Sequence, residues 1–309
     1  MSHLNLFLAI LTSSTITLIL QYIFTKYSFF DAINHRSVHK SKATKIGGIS
    51  VFMTLFILSI IYYFKQDQIF DFSLLIPLGI MFTVGVYDDF YNADFKLKFL
   101  LQIIVAKILI DQGFVINDFH GVLGLDAIPN LASQIFTIFV FLVIVNSINF
   151  IDGIDGLAIT ETIKVILIIE FLSSNPTQII SLGLITIFGL LPLYYFNFKK
   201  ENKVFLGDAG SLLLGTLIAI YAITLLGNDF QIREAFTSNK AILSIAILIY
   251  PLFDLLRVFY IRIKNKKSPF RPDNNHIHHL LLQKGLSHFS ICFIIQSISI
   301  FLLFIVIIL

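Results

Sequence analysis

Residues 133–158 read SQIFTIFVFLVIVNSINFIDGIDGLA, and the first eighteen of them carry no charge. A helix needs about 20 apolar residues to cross the hydrocarbon core of a bilayer, within a range of ~17–25. Residues 133–150 therefore predict a membrane span. Toward its end Asn146, Asn149, Asp152 and Gly156 fall at i, i+3 and i+4 spacings, which predicts one polar stripe at the end of an apolar helix. Asp155 follows three residues after Asp152, near the same face. An uncompensated carboxylate at membrane depth costs ~2.5–3.5 kcal/mol on insertion scales, and ionisable residues there mark function. A helix cap needs one Asp rather than two Asn and two Asp.

The rest of the chain has the same character. Of 309 residues, 57% are hydrophobic and only 13% charged, where a soluble domain carries about 25% charged residues. Mean hydropathy is +0.87. The composition predicts an all-α, polytopic transmembrane bundle of ten helices, at most eleven, forming a single domain over 1–309. The expected spans are 4–24, 46–64, 72–87, 97–111, 133–150, 160–172, 178–196, 211–226, 241–259 and 289–309. The first has no basic residue before it and no small-residue cleavage site, so it reads as a retained membrane helix rather than a signal peptide. The Gly-rich stretch 112–132 reads as an external hairpin or a short re-entrant piece. A net charge of +3 gives no support for nucleic-acid binding, and the lone Cys292 forms no disulfide within the chain.

The basic residues are unevenly placed. The loops around 25–45, 88–98, 147–160, 197–210 and 260–288 hold sixteen of the 22 Lys and Arg, and the intervening loops hold only Lys65, Arg233 and Lys240. By the positive-inside rule the first set faces the cytoplasm. The unusual residues lie in the same loops. In GVYDDFYNADFKLKF (85–99), Asp88 and Asp89 leave a span together and repel unless a cation or shared proton lies between them. In FLGDAGSLLLG (205–215), Asp208 stands between glycines before an apolar helix, with Ser211 as an alternative cap. A Gly-Asp turn there offers N–H groups to phosphate and a carboxylate to a metal. In SPFRPDNNHIHHLLLQKG (268–285), Arg271, His276, His278 and His279 lie within nine residues. Zinc is one reading, but with no cysteine nearby a diphosphate suits them better. In NHRSVHKSKATKIGGIS (34–50), Lys45 precedes two glycines and is a candidate contact for an anionic nucleotide.

Together and in this order, these motifs resemble the polyprenyl-phosphate N-acetylhexosamine-1-phosphate transferase family, over nearly the whole chain from Arg36 to the HIHH run. That family includes the enzymes that start O-antigen, teichoic acid and capsule synthesis, and the phospho-MurNAc-pentapeptide translocase. The HIHH form and the short length are more similar to the sugar-1-phosphate starters. The chain departs from the family pattern at Thr44 and Lys45, where proline and arginine are usual, and at Asn274, often an arginine.

The resemblance implies a magnesium enzyme, with Mn²⁺ as the alternative metal, that moves a sugar-1-phosphate from a UDP-sugar to a polyprenyl phosphate and releases UMP. It implies Asp88, Asp89, Asp152, Asp155 and His278 as the catalytic set, with Asp88 the base toward the lipid phosphate. Asn149 and Asp208 match positions associated with the metal. Arg271, His276 and His279 would face the diphosphate and sugar, and Asn146 and Lys45 complete the candidate substrate contacts. The expected location is the inner (cytoplasmic) membrane, multi-pass, with the site on the cytoplasmic side and self-association into a homodimer left open. The rival from another class is an ion-coupled transporter, which would place its carboxylates near mid-bilayer on broken helices.

Overall fold

The computed structural model describes residues 3–31, 42–236, 238–269 and 273–308. Helices form at all ten expected spans. They are α1 (His3–Lys26), α2 (Gly47–Phe64), α3 (Leu75–Tyr91), α4 (Phe95–Asp111), α5 (Asn130–Ile151), α6 (Leu157–Leu172), α7 (Ile180–Asn197), α8 (Gly207–Leu226), the pair α9 (Lys240–Ile247) and α10 (Ile249–Lys264), and α12 (His288–Ile308). A further short helix, α11 (Ile277–Gln283), carries the histidine run.

Among the described residues, seven helices are long and apolar enough to cross a membrane, and the α9–α10 pair, bent by 73°, is an eighth candidate. The chain is a multi-pass membrane helical bundle. Helices α4 and α6 have 17 and 16 residues, about 24–26 Å at 1.5 Å per residue, which is short of a ~30 Å core. The α9–α10 bend has an identifiable cause. Pro251 cannot donate a backbone hydrogen bond, and its ring collides with the carbonyl four residues earlier, that of Ile247, where α9 stops. Residues 112–132 contain no eleventh span. They form a hairpin with an antiparallel bridge between Asp118 and Ala127 and a short 3₁₀ turn at Val122–Gly124.

Helix α8 is the hub: 94% of its apolar window is buried, against 22% for α1. Helices α2 and α3 approach its N-terminus closely enough to require glycine. A Cβ on Gly48 would stand 2.1 Å from the Gly210 nitrogen, and one on Gly85 would stand 2.3 Å from the Asp208 carbonyl oxygen. Small residues permit such backbone approach where lipid offers no hydrophobic drive between helices. Two-residue strands β1 (Ala43–Thr44) and β2 (Lys203–Val204) pair in parallel. The ladder continues as Gly47 N–H donates to the Phe205 carbonyl at 3.0 Å and Gly48 N–H to that of Leu206 at 2.8 Å. The segment carrying Lys45 is thereby fixed beside the start of α8.

One local expectation fails. The polar stripe does not continue as a helix past Ile151; Asp152 to Gly156 form a turn between α5 and α6. Asp152 sits at the C-cap with ψ 35°, and Gly156 takes φ +78°, a left-handed conformation that glycine adopts without strain. Asp155 consequently leaves the Asn149 face.

Candidate active site

The site assembles around the start of α8. The Asp89 carboxylate, from the last turn of α3, accepts the backbone N–H groups of Asp208 (3.1 Å) and Ala209 (2.9 Å). Asp89 thus supplies from α3 the cap that α8 lacks locally, since Leu206 at the N-cap makes no side-chain bond. That releases the Asp208 side chain from capping. Its Oδ1 instead accepts from Asn149 Nδ2 at 2.6 Å, and the same amide donates to Ser211 Oγ at 2.8 Å.

Lys45 bridges this group to the N-terminal segment, 3.0 Å from Asp31 and 3.6 Å from Asp89. Burial disfavours its charged form, but the Asp31 hydrogen bond and the charges of Asp31, Asp89 and Asp208 outweigh that and hold its pKa above the ordinary lysine value. At Asp152 the opposing charge of Lys45 is outweighed. Burial, then the charges of Asp208, Asp89 and Asp155, push its carboxyl well above the usual range. An Asp at a helix C-terminus also opposes the helix dipole, so Asp152 is not placed there to stabilise α5. Asp155 is paired with Lys203 at 2.5 Å and lies 2.6 Å from His288 Nδ1.

These groups line a cavity of about 310 Å³, in which Asp31, Lys45, Asp89, Asp152, Asp155 and Asp208 face Phe205, His279 and His288. Of the residues expected from sequence, Lys45, Asp89, Asp152, Asp155, Asp208 and His279 lie on it. Asn149 stands directly behind Asp208. Asp88 sits outside the cavity, paired with Lys98 and accepting the Ala93 N–H at 2.7 Å. Asn146 is not brought to the cavity: its amide donates to Gln102 at 2.8 Å and to the Leu142 carbonyl at 2.7 Å, tying α5 to α4. Arg271 lies outside the described residues.

The histidine run is held by α10. His276 Nδ1 lies 2.7 Å from Asp254 Oδ2, and Asp254 Oδ1 accepts the Ile277 N–H at 2.9 Å. His278 Nδ1 lies 3.1 Å from the Tyr250 hydroxyl. Further along the same helix, Arg262 grips Asp273 through two 3.0 Å contacts. Burial, then neighbouring histidines, lowers His279 to about 4 and His278 well below the ordinary value. Sequence reasoning missed Asp31, Lys203, Tyr250, Asp254 and His288. Only Asp254 left a usable signal, a carboxylate inside the apolar run 241–259.

Among the described residues no three His, Cys, Asp or Glu side chains converge as a cage for a cation. The donors around Asp208 are carboxylate and amide oxygens. That set fits a hard cation held by one or two protein oxygens together with substrate phosphate and water. The three histidines pack against one another, His276 stacked on His278 at 5.5 Å and His279 tilted against His278 at 4.3 Å, and are not among a converging metal set.

Comparison with known proteins gives the family. Residues 71–226, from just before α3 to the end of α8, match the family described as glycosyl transferase family 4. A probable undecaprenyl-phosphate N-acetylglucosaminyl 1-phosphate transferase of Bacillus subtilis (strain 168) is 31% identical over 284 residues, covering 91% of this chain and 77% of its own. An undecaprenyl-phosphate alpha-N-acetylglucosaminyl 1-phosphate transferase of Haemophilus influenzae is 30% identical, covering 96% and 83%. A decaprenyl-phosphate N-acetylglucosaminephosphotransferase of Mycobacterium leprae is 29% identical, covering 82% and 70%. The chain is a member of glycosyl transferase family 4.

Proposed function

We infer that this chain transfers N-acetylglucosamine-1-phosphate from UDP-N-acetylglucosamine to a polyprenyl phosphate and releases UMP, as the first membrane step of a cell-envelope polysaccharide. One observation carries the reading: carboxylates from α3, the 152–156 turn and α8 meet Lys45 and His279 in a single cavity at one end of a membrane bundle. A lipid phosphate and a nucleoside diphosphate are both anionic, and their reaction needs that repulsion neutralised. Mg²⁺, held by Asp208 and the Asn149 amide oxygen, would neutralise the diphosphate and the leaving UMP.

The chain's own residues divide the remaining work. Lys45, fixed by β1 and half-buried between Asp31 and Asp89, offers a charged contact to the nucleotide phosphates. Asp88, with Lys98 as counter-ion, keeps the attacking phosphate deprotonated. Ala93, whose N–H binds Asp88, also lines an apolar groove with Phe52, Phe82, Val84, Leu97 and Leu101, and the groove takes the prenyl chain. The β-phosphorus–oxygen bond to UMP breaks as a new one to the lipid phosphate forms. By the positive-inside rule, the basic residues at this end of the bundle support a site on the cytoplasmic face of the bacterial inner membrane. Purified protein in detergent, given undecaprenyl phosphate, Mg²⁺ and a panel of UDP-sugars, should release UMP with UDP-N-acetylglucosamine. Release with none of the panel contradicts the reading.

A further inference from the structure

Tyr250 and Asp254 lie one turn apart on α10, and each meets the Nδ1 of a different histidine of the HIHH run. Asp254 is fully buried. As an acceptor it places a proton on His276 Nδ1, and through the Ile277 N–H it pins the backbone from which His278 projects. His278 is also fully buried, and its Nε2 is a buried ring nitrogen with no partner among the described residues. That atom is aimed at the 152–156 turn, because a Cβ built on Gly153 would stand 2.5 Å from it. Gly153 and His279 line the cavity. A buried polar atom left unpaired costs ~1–3 kcal/mol, so an unmade bond pointing at the cavity wall suits a ligand oxygen arriving there. If the Tyr250 hydroxyl donates to Nδ1, the His278 proton must sit on Nε2, the nitrogen that faces the ligand.

We propose that Tyr250 and Asp254 are positioning residues that hold the HIHH turn so that His278 presents an Nε2–H donor to the diphosphate of the sugar nucleotide beside Gly153. The inference rests on the transferase reading above, and neither residue touches substrate. Orienting partners of metal-bound histidines are worth about 10–100-fold, and the same order is expected for these. Tyr250→Phe removes one hydroxyl and Asp254→Asn keeps shape while removing charge.

The test measures UMP release at saturating donor and lipid, together with the thermal midpoint in detergent. Each variant should lose about 10–100-fold in kcat while its midpoint stays near wild type. In a His278→Ala background, Tyr250→Phe should cost little further, because residues acting as one unit are not additive. Wild-type kcat in both variants overturns the proposal, as do losses that multiply with that of His278→Ala or that follow the thermal midpoint down. Wild-type protein that releases no UMP sinks the transferase reading and this inference with it. Active wild type with unimpaired variants sinks this inference alone.

Discussion

The Asp89 carboxylate, at the end of α3, accepts the backbone N–H of Ala209 at 2.9 Å and so closes the N-terminus of α8. Losing a cap costs ~0.5–2 kcal/mol. Asp89→Ala should lower the thermal midpoint of the purified protein accordingly. Asp89→Asn keeps an acceptor oxygen and should recover most of that stability, while still losing turnover because Lys45 loses a charge partner. Equal midpoints for wild type and Asp89→Ala would show that the cap contributes nothing.

Asp208 makes the converse prediction, since the capping is done by Asp89. Asp208→Ala should abolish UMP release, yet leave the protein folded and membrane-inserted with a midpoint near wild type. Substantial turnover at ordinary Mg²⁺ would remove Asp208 from the metal site.

The glycine contacts discriminate between backbone and side-chain neighbours. A Cβ on Gly85 meets the backbone of Asp208 and Ala209 at 2.3–2.5 Å, whereas one on Gly79 meets only the Phe52 ring, at 3.3 Å. Gly85→Ala should exceed the ~1–3 kcal/mol of ordinary overpacking and yield little folded protein. Gly79→Ala should purify normally. Similar yields from both would contradict the close approach of α3 to α8.

Much of this fold was legible because lipid demands apolar windows of fixed length, and ten such windows became helices. The bend between α9 and α10 was not expected within the span 241–259; Pro251 supplies its cause, yet Pro192 sits inside the continuous α7. The end of α5 was legible from span length, 150 expected against Ile151 observed, but the spacing could not show that Asp152 and Gly156 leave the helical stripe. The 3.6-residue period continues through Asp152 and Gly156, and only the turn at Gly153 and Gly156 breaks it. The site was half legible. The carboxylates announced themselves by their cost near lipid, but the choice of counter-ion depends on tertiary packing. Lys203 meets Asp155 from 48 residues away, and His288 meets it from the start of α12. Nothing local to Asp155 predicts either.

Protonation gives a signed prediction. His278 and His279 are held below the ordinary histidine pKa, His279 at about 4, so the unfolded chain takes up protons there first. Stability is therefore present above the unfolded value of about 6.5 and is lost as pH falls from there toward 4. The thermal midpoint should decline over that window, and His279→Gln should flatten part of the decline. An unchanged slope in that variant would show that His279 is solvated.

The arrangement of the loops predicts sidedness. In a Cys292→Ala background, cysteines at Asn92 and Glu201 should be labelled from the same side of the membrane, and one at Asp229 from the other. Opposite labelling at 92 and 201 would separate Asp89 from Asp208 and dismantle the cavity.

The central claim is that the donor's β-phosphate travels with the sugar. The direct measurement supplies UDP-N-acetylglucosamine labelled in that phosphate, together with polyprenyl phosphate and Mg²⁺, and follows the label. The account predicts label in the lipid product and UMP as the only nucleotide released. Label retained in a released UDP would mean that the sugar–oxygen bond is the one broken, and would contradict it.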